Sequence, residues 1–141
     1  MSEPISDPPV PGTRVSVAGR RIGHHGPAVV ALGGGHGLSS SLKALRRLTD
    51  DVTAIVGVAD DGGSSGRIRS ELGLPPPGDL RMALAALCGA DAWGRTWSQV
   101  MQHRFGGTGE MAGHATGNLR IAGLWEETGD LVAGLDWVAA L

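Results

Sequence analysis

Apolar positions along the chain fall into two kinds of run, and their order predicts an alternating architecture. Ala28–Leu32 is short, rich in Val and bounded by glycines, the pattern of a strand buried on both faces of a parallel sheet. Beyond the loop Gly33–Gly37, the residues Leu38, Leu42, Leu45 and Leu48 recur at helical spacing, with Lys43, Arg46 and Arg47 on the opposite side. Thr49, Asp50 and Asp51 close that helix, and Val52–Val58 reads as a second buried strand. A strand, a crossover helix and a parallel strand in succession form a right-handed unit in nearly all proteins. Such a unit sets both following loops at the strands' carboxyl ends, where α/β proteins bind ligands.

Helices dominate the remainder. Asp60–Gly66 forms a loop that leads into a helical turn over Arg67–Leu72, and Pro75-Pro76-Pro77-Gly78 interrupts it. Asp79 is expected to cap a helix over Leu80–Leu87. Another helix runs from Ala92 to Arg104 with Trp93, Trp97, Val100 and Met101 inward. A glycine-rich loop, Gly106–Gly117, precedes a helix through Thr128 and a last apolar segment, Leu131–Leu141. So many helices with two clear strands predict an incomplete domain. The expected fold class is α/β, with a Rossmann-like parallel sheet over residues 27–141. Residues 1–26 show neither strand nor helix period and predict a disordered tail; His24 and His25 lie in it without carboxylate or cysteine at metal-ligand spacing.

Composition changes this picture in one respect. The 24 glycines exceed the usual share of about 7% and cluster between apolar runs, so they mark built loops. A net charge of −2, one Phe and four Trp supply neither a broad basic field nor stacking surfaces, and nucleic acid is not an expected partner. The single cysteine, Cys88, cannot form an intrachain disulfide, which fits a reducing cytoplasm. The start MSEPISDPPVPGTRV has no apolar core, and no run approaches the ~20 apolar residues of a membrane span. A cytoplasmic protein without membrane association is expected.

Three loops carry candidate chemistry. In Gly33-Gly34-Gly35-His36-Gly37, consecutive N–H groups can converge on an anion at a helix start, where the helix dipole adds about half a positive charge. A phosphate or diphosphate is the natural ligand. No Gly-Lys-Ser/Thr follows, which excludes a P-loop, and Ser40 stands where the third glycine of a dinucleotide fingerprint belongs. In the second loop, Asp60 and Asp61 are hard oxygen ligands for a divalent cation, followed by Gly62, Gly63, Ser64, Ser65 and Gly66, with Arg67 and Arg69 as phosphate ligands. Pro77-Gly78-Asp79-Leu80-Arg81 adds a carboxylate and a guanidinium, for which a surface ion bridge worth under about 1 kcal/mol is the simplest account. The third loop, Gly113-His114-x-x-Gly117-Asn118, places His114 and Asn118 where a helix starts, suited to holding an anion.

Taken together, Gly34-Gly35-His36-Gly37-Leu38, Asp60-Asp61-Gly62-Gly63-Ser64-Ser65-Gly66-Arg67-Ile68-Arg69, Pro76-Pro77-Gly78-Asp79-Leu80-Arg81 and Gly113-His114-x-x-Gly117-Asn118-Leu119 resemble, in order and spacing, the CofD-like family. The second segment is highly specific. The resemblance covers about residues 28–130 and implies one of two activities. Proteins like CofD transfer a phospholactyl group from a guanosine-diphosphate-activated donor in coenzyme F420 synthesis, with magnesium. The YvcK-type gluconeogenesis factors bind UDP-N-acetylglucosamine and support cell-wall growth and cell shape, and this sequence is similar to them in its Asp60–Arg67 and Pro76–Asp79 phrasing. By that resemblance the ligand residues are Gly34–Leu38, Asp61–Arg67, Arg69, Asp79, His114 and Asn118, with Asp60 and Asp61 toward magnesium. His36 departs from the threonine of many relatives. The relatives are also about twice as long. No nucleophile dyad or general-base constellation is identifiable, which favours binding over catalysis; a glycine-rich structural domain without a small ligand is the third alternative. An uncovered sheet edge and the apolar Leu131–Leu141 favour self-association.

Overall fold

The computed structural model describes residues 26–140. The predicted tail over residues 1–26, including His24 and His25, lies outside the described residues but for Gly26.

Strand β1 (Val29–Gly33) pairs in parallel with β2 (Val52–Val56), in a register that sets Val29 beside Val52 and Gly33 beside Val56. Helix α1 (Gly35–Leu45) crosses between them. The chain continues as α2 (Gly63–Leu72), α3 (Gly78–Leu87), α4 (Ala92–Gln102), α5 (Thr116–Thr128) and α6 (Leu131–Ala139). Helices α1, α2 and α3 each begin earlier than their apolar spacing predicts, inside the glycine-rich segments, so those glycines form first helical turns.

Two clusters make the core, and α3 belongs to both. Ala83 and Ala86 of α3 pack with Leu38 and Leu42 of α1 against Ala31, Val52, Ala54 and Val56 of the sheet. On its other side Ala85 joins Met101, Ile121, Trp125 and Val138 from α4, α5 and α6. Alanine suits a helix with neighbours all round, because it lets their backbones approach closely.

The strands are not covered on both faces. Alternate residues Val30, Leu32 and Ile55 are 66%, 76% and 51% exposed, because α1 and α3 pack against only one side of the sheet. Two further expectations change. Leu48 falls after the end of α1 and is exposed, and Trp93 is 59% exposed, with Trp97 edge-on to it at 5.6 Å.

Helix ends divide into two groups. Asp91 caps α4 by accepting from Gly94 N at 2.8 Å, and Asp130 caps α6 by accepting from Val132 N and Ala133 N. The starts of α1, α2, α3 and α5 carry no such side-chain cap. At their other ends α2 and α5 stop on Gly73 and Gly129 in the left-handed conformation.

Candidate functional site

The four uncapped helix starts share one place. A cleft of about 340 Å³ is lined by Gly35 and His36 of α1, Gly62–Ser65 at the start of α2, Gly78, Asp79 and Arg81 of α3, Asn118 of α5, and Arg104. First-turn N–H groups have no partner within their own helix, so donors of α1, α2 and α3 and four positive dipole ends border one concavity; in α5 the N–H groups of Thr116 and Asn118 are already taken by the carbonyls of His103 and Ala115. Parallel pairing of β1 and β2 is what brings α1 and α2 to the same edge of the sheet.

Close approach fixes α3 in this arrangement. A Cβ on Gly78 would collide with Asp60 Oδ2 and Ser65 Oγ, so the glycine lets the first turn of α2 and Asp60, three residues before that helix, lie against α3. Gly117 does the same for α5, since a Cβ there would stand 2.7 Å from both Arg81 Cγ and Met101 O. That approach buries Arg81.

Arg81 is 4% exposed. Its Nε donates to Asn118 Oδ1 at 2.8 Å and its Nη1 to Gln102 Oε1. Nη2 has no protein partner among the described residues, while the side chain lines the cleft. Burial, then the neighbouring Arg104, lowers its pKa, and Asp60 and Asp79 oppose this; a guanidinium stays protonated regardless. The expected surface bridge to Asp79 is not formed. Asp79 instead accepts from Gly35 N at 3.0 Å, tying the start of α3 to that of α1 and leaving its own helix without a side-chain cap.

Behind the cleft lies a buried polar network. Ser64 Oγ receives N–H from Asn118 Nδ2 at 3.1 Å and from Ala115 at 3.3 Å, and it meets His114 Nδ1 at 3.0 Å. With both acceptor positions used, the hydroxyl proton goes to Nδ1, so the neutral ring carries its own proton on Nε2. Burial, then the positive Arg67, lowers the His114 pKa, and Glu71 opposes them. Asn118 Nδ2 also reaches Ser65 Oγ at 3.4 Å. Every polar atom of Asn118 is thereby committed, and its role is to hold Arg81.

The residues singled out in the sequence separate accordingly. Gly35, His36, Gly62, Gly63, Ser64, Ser65, Asp79 and Asn118 come together at the cleft, and Asp60 with them. Gly34 precedes α1, and Gly37 lies on its exposed first turn. Leu38 belongs to the core, and Gly66 packs against the Asp61 carbonyl. His114 stands behind Ser64, outside the lining. Arg67 is spent on Glu110 O at 2.9 Å and Ala112 O at 2.7 Å, fastening the glycine-rich loop to α2. Arg69 is exposed and borders no part of the cleft.

The adjacent carboxylates do not act together. Asp60 lines the cleft and accepts from Gly62 N at 3.1 Å, whereas Asp61 is exposed and outside it. Among the described residues no three His, Cys, Asp or Glu side chains gather into a metal cluster. The carboxylates that share the cleft are Asp60 and Asp79, a number that fits magnesium held jointly by protein and ligand phosphates. Arg104 is a cleft residue that the sequence reading did not single out, and Arg81, read there as half of a surface ion bridge, lines the cleft instead; the signal for its burial was Gly117, whose missing side chain makes room for it. No described helix is long and apolar enough to cross a membrane.

Comparison with known proteins identifies the family. Residues 29–141 match the family model described as 2-phospho-L-lactate transferase CofD. A Mycobacterium leprae relative, provisionally designated a gluconeogenesis factor, is 64% identical over 115 residues, covering 82% of this chain and 32% of its own length. The Bacillus subtilis protein named gluconeogenesis factor is 48% identical over 104 residues, 74% of this chain and 32% of its own. The crystal structure of protein BH3568 from Bacillus halodurans superposes with a TM-score of 0.72 at 45% identity, over 80% of this chain and 36% of that one. The chain thus spans about a third of the length of the curated relatives it matches. With its family match running from β1 onward, the chain belongs to the CofD family, and within it is similar to the gluconeogenesis factors.

Proposed function

We propose that this chain supplies the diphosphate-gripping part of a nucleotide-sugar site, with UDP-N-acetylglucosamine as ligand, and that the protein serves cell-wall synthesis and cell shape as a binding protein. The observation that carries the reading is the meeting of the starts of α1, α2 and α3 beside the buried guanidinium of Arg81, whose Nη2 has no protein partner among the described residues. A diphosphate would take first-turn N–H groups of α1, α2 and α3 and the free Nη2. Two charge-assisted contacts there exceed neutral hydrogen bonds about twofold in strength. His36 and Arg104 border the same opening and would meet the ligand's outer phosphate or sugar. The similarity to gluconeogenesis factors supports this branch.

A second reading follows from Asp60 and Asp79 sharing the cleft. They would hold magnesium on the phosphates of a guanosine-diphosphate-activated donor, the transferase chemistry of the family's other branch, where positioning and metal can suffice. Calorimetric titration separates the two. The binding reading expects UDP-N-acetylglucosamine to bind without magnesium, inorganic pyrophosphate to displace it, and Arg81→Lys to weaken it about tenfold by loss of the planar fork. Tighter, strictly magnesium-dependent binding of GDP would overturn it in favour of the transferase.

A further inference from the structure

A concavity of about 460 Å³ lies away from the cleft, at the opposite ends of α1 and α3. Four cationic side chains line it, Lys43, Arg46, Arg47 and Arg95, and no carboxylate does. This is unexpected in a chain of net charge −2. Part of the charge has a structural role. Arg46 Nη1 donates to the carbonyls of Ala86 and Cys88 at the end of α3, and Arg95 Nη1 donates to Ala90 O, as cations commonly do near helix carboxyl ends.

Lys43 and Arg47 have no such role. Both are exposed, and neither side chain makes a hydrogen bond or an ion pair among the described residues. Arg46 and Arg95 also keep donors beyond the one nitrogen each commits. A concave site of one sign focuses its field on the opposite charge, and its volume falls in the range that encloses small ligands. Guanidinium forks match phosphate oxygens in pairs.

We infer that this groove is a second anion site, taking a small, multiply phosphorylated ligand between Lys43, Arg46, Arg47 and Arg95. It is separate from the cleft, yet α1 and α3 each reach from one to the other, with Gly35 and Gly78 at one end and Arg46 and Cys88 at the other. The proposal rests on residues the cleft does not use and stands without the nucleotide-sugar reading.

Cys88, the only cysteine, lies in the groove wall and reports on it locally. The test combines equilibrium dialysis of labelled pyrophosphate with the rate at which a neutral disulfide reagent modifies Cys88. Wild type is expected to bind two pyrophosphates and the variant Lys43→Ala/Arg47→Ala one, with both substitutions on exposed positions. Pyrophosphate should slow Cys88 modification about tenfold in wild type, the ratio that a tenfold excess over Kd produces, and hardly at all in the variant. One site in wild type and none in the variant would uphold the groove and remove the cleft reading. An unchanged count in the variant, or no protection of Cys88, would overturn the groove.

Discussion

Replacing Asn118 by alanine attacks the point where the network and the cleft meet. Asn118 is 1% exposed; it accepts from the Arg81 guanidinium at 2.8 Å and donates to Ser64 Oγ at 3.1 Å, with a longer contact to Ser65. The bond to Arg81 is charge-assisted and is worth about 1.5–3 kcal/mol, while the bond to Ser64 contributes about 1 kcal/mol. The 3.4 Å contact adds little. Truncation should therefore cost about 2.5–4 kcal/mol, a large share of the roughly 5–15 kcal/mol typical of a domain. For a domain of this size the midpoint should fall by roughly 10–15 °C. Asn118→Asp provides the contrast. It keeps the acceptor for Arg81 but offers Ser64 no donor, so the Ser64 proton turns from His114 to the new carboxylate, and the loss should be about 1–2 kcal/mol. Differential scanning calorimetry at pH 7.5 measures both, and pyrophosphate titration of the folded alanine variant should show weakened binding because Arg81 is no longer held. A midpoint within about 3 °C of wild type for Asn118→Ala would refute the network as the support of Arg81.

Three other substitutions examine separate parts of the account. His114 is held neutral with a lowered pKa, so its contribution to stability is complete above its ordinary value of 6.5 and is lost as pH falls below that toward the folded value; wild type should lose thermal stability between pH 7.5 and 5.5, and His114→Gln, which keeps an acceptor for Ser64, should lose less, whereas parallel curves would contradict the assignment. Asp79→Asn keeps an acceptor for Gly35 N while removing a negative charge from the cleft, so pyrophosphate affinity without metal should rise several-fold and any gain from magnesium should shrink; weaker metal-free binding would count against anions entering beside Asp79. Leu32→Lys places a charge on the uncovered sheet face, where Val30, Leu32 and Ile55 are exposed. It should reduce self-association in sedimentation velocity, and identical behaviour of the two proteins would exclude that face as the contact.

Much of this site is legible in the chain because glycine clusters and apolar runs are local signals. Ala28–Leu32 and Val52–Val58 disclose both strands to within two residues, whereas the helix starts at Gly35, Gly63 and Gly78 read as loop because glycine carries no apolar period. What local pattern conceals is burial created from elsewhere. Arg81 stands two residues from Asp79 and reads as half of a surface pair, yet Gly117, far along the chain, has no side chain to hold α5 away, and the guanidinium is enclosed. Arg67 shows the reverse: its sequence company suggests a ligand, but the loop at Glu110 and Ala112 supplies carbonyls that take its donors. The strands read as doubly buried because Val, Ile and Leu occupy both faces, and periodicity alone cannot tell which face this chain covers.

The central claim is that phosphates lie among the starts of α1, α2 and α3 beside Arg81, and amide chemical shifts test it most directly. Titration of the isotopically labelled chain with UDP-N-acetylglucosamine should move the N–H resonances of Gly35, His36, Gly63, Ser64, Gly78 and Asp79 in one saturable process, together with the Arg81 guanidinium protons. Inorganic pyrophosphate should move the same amides. Saturable shifts that leave these residues untouched, or none at all in a folded sample at millimolar ligand, would contradict the account.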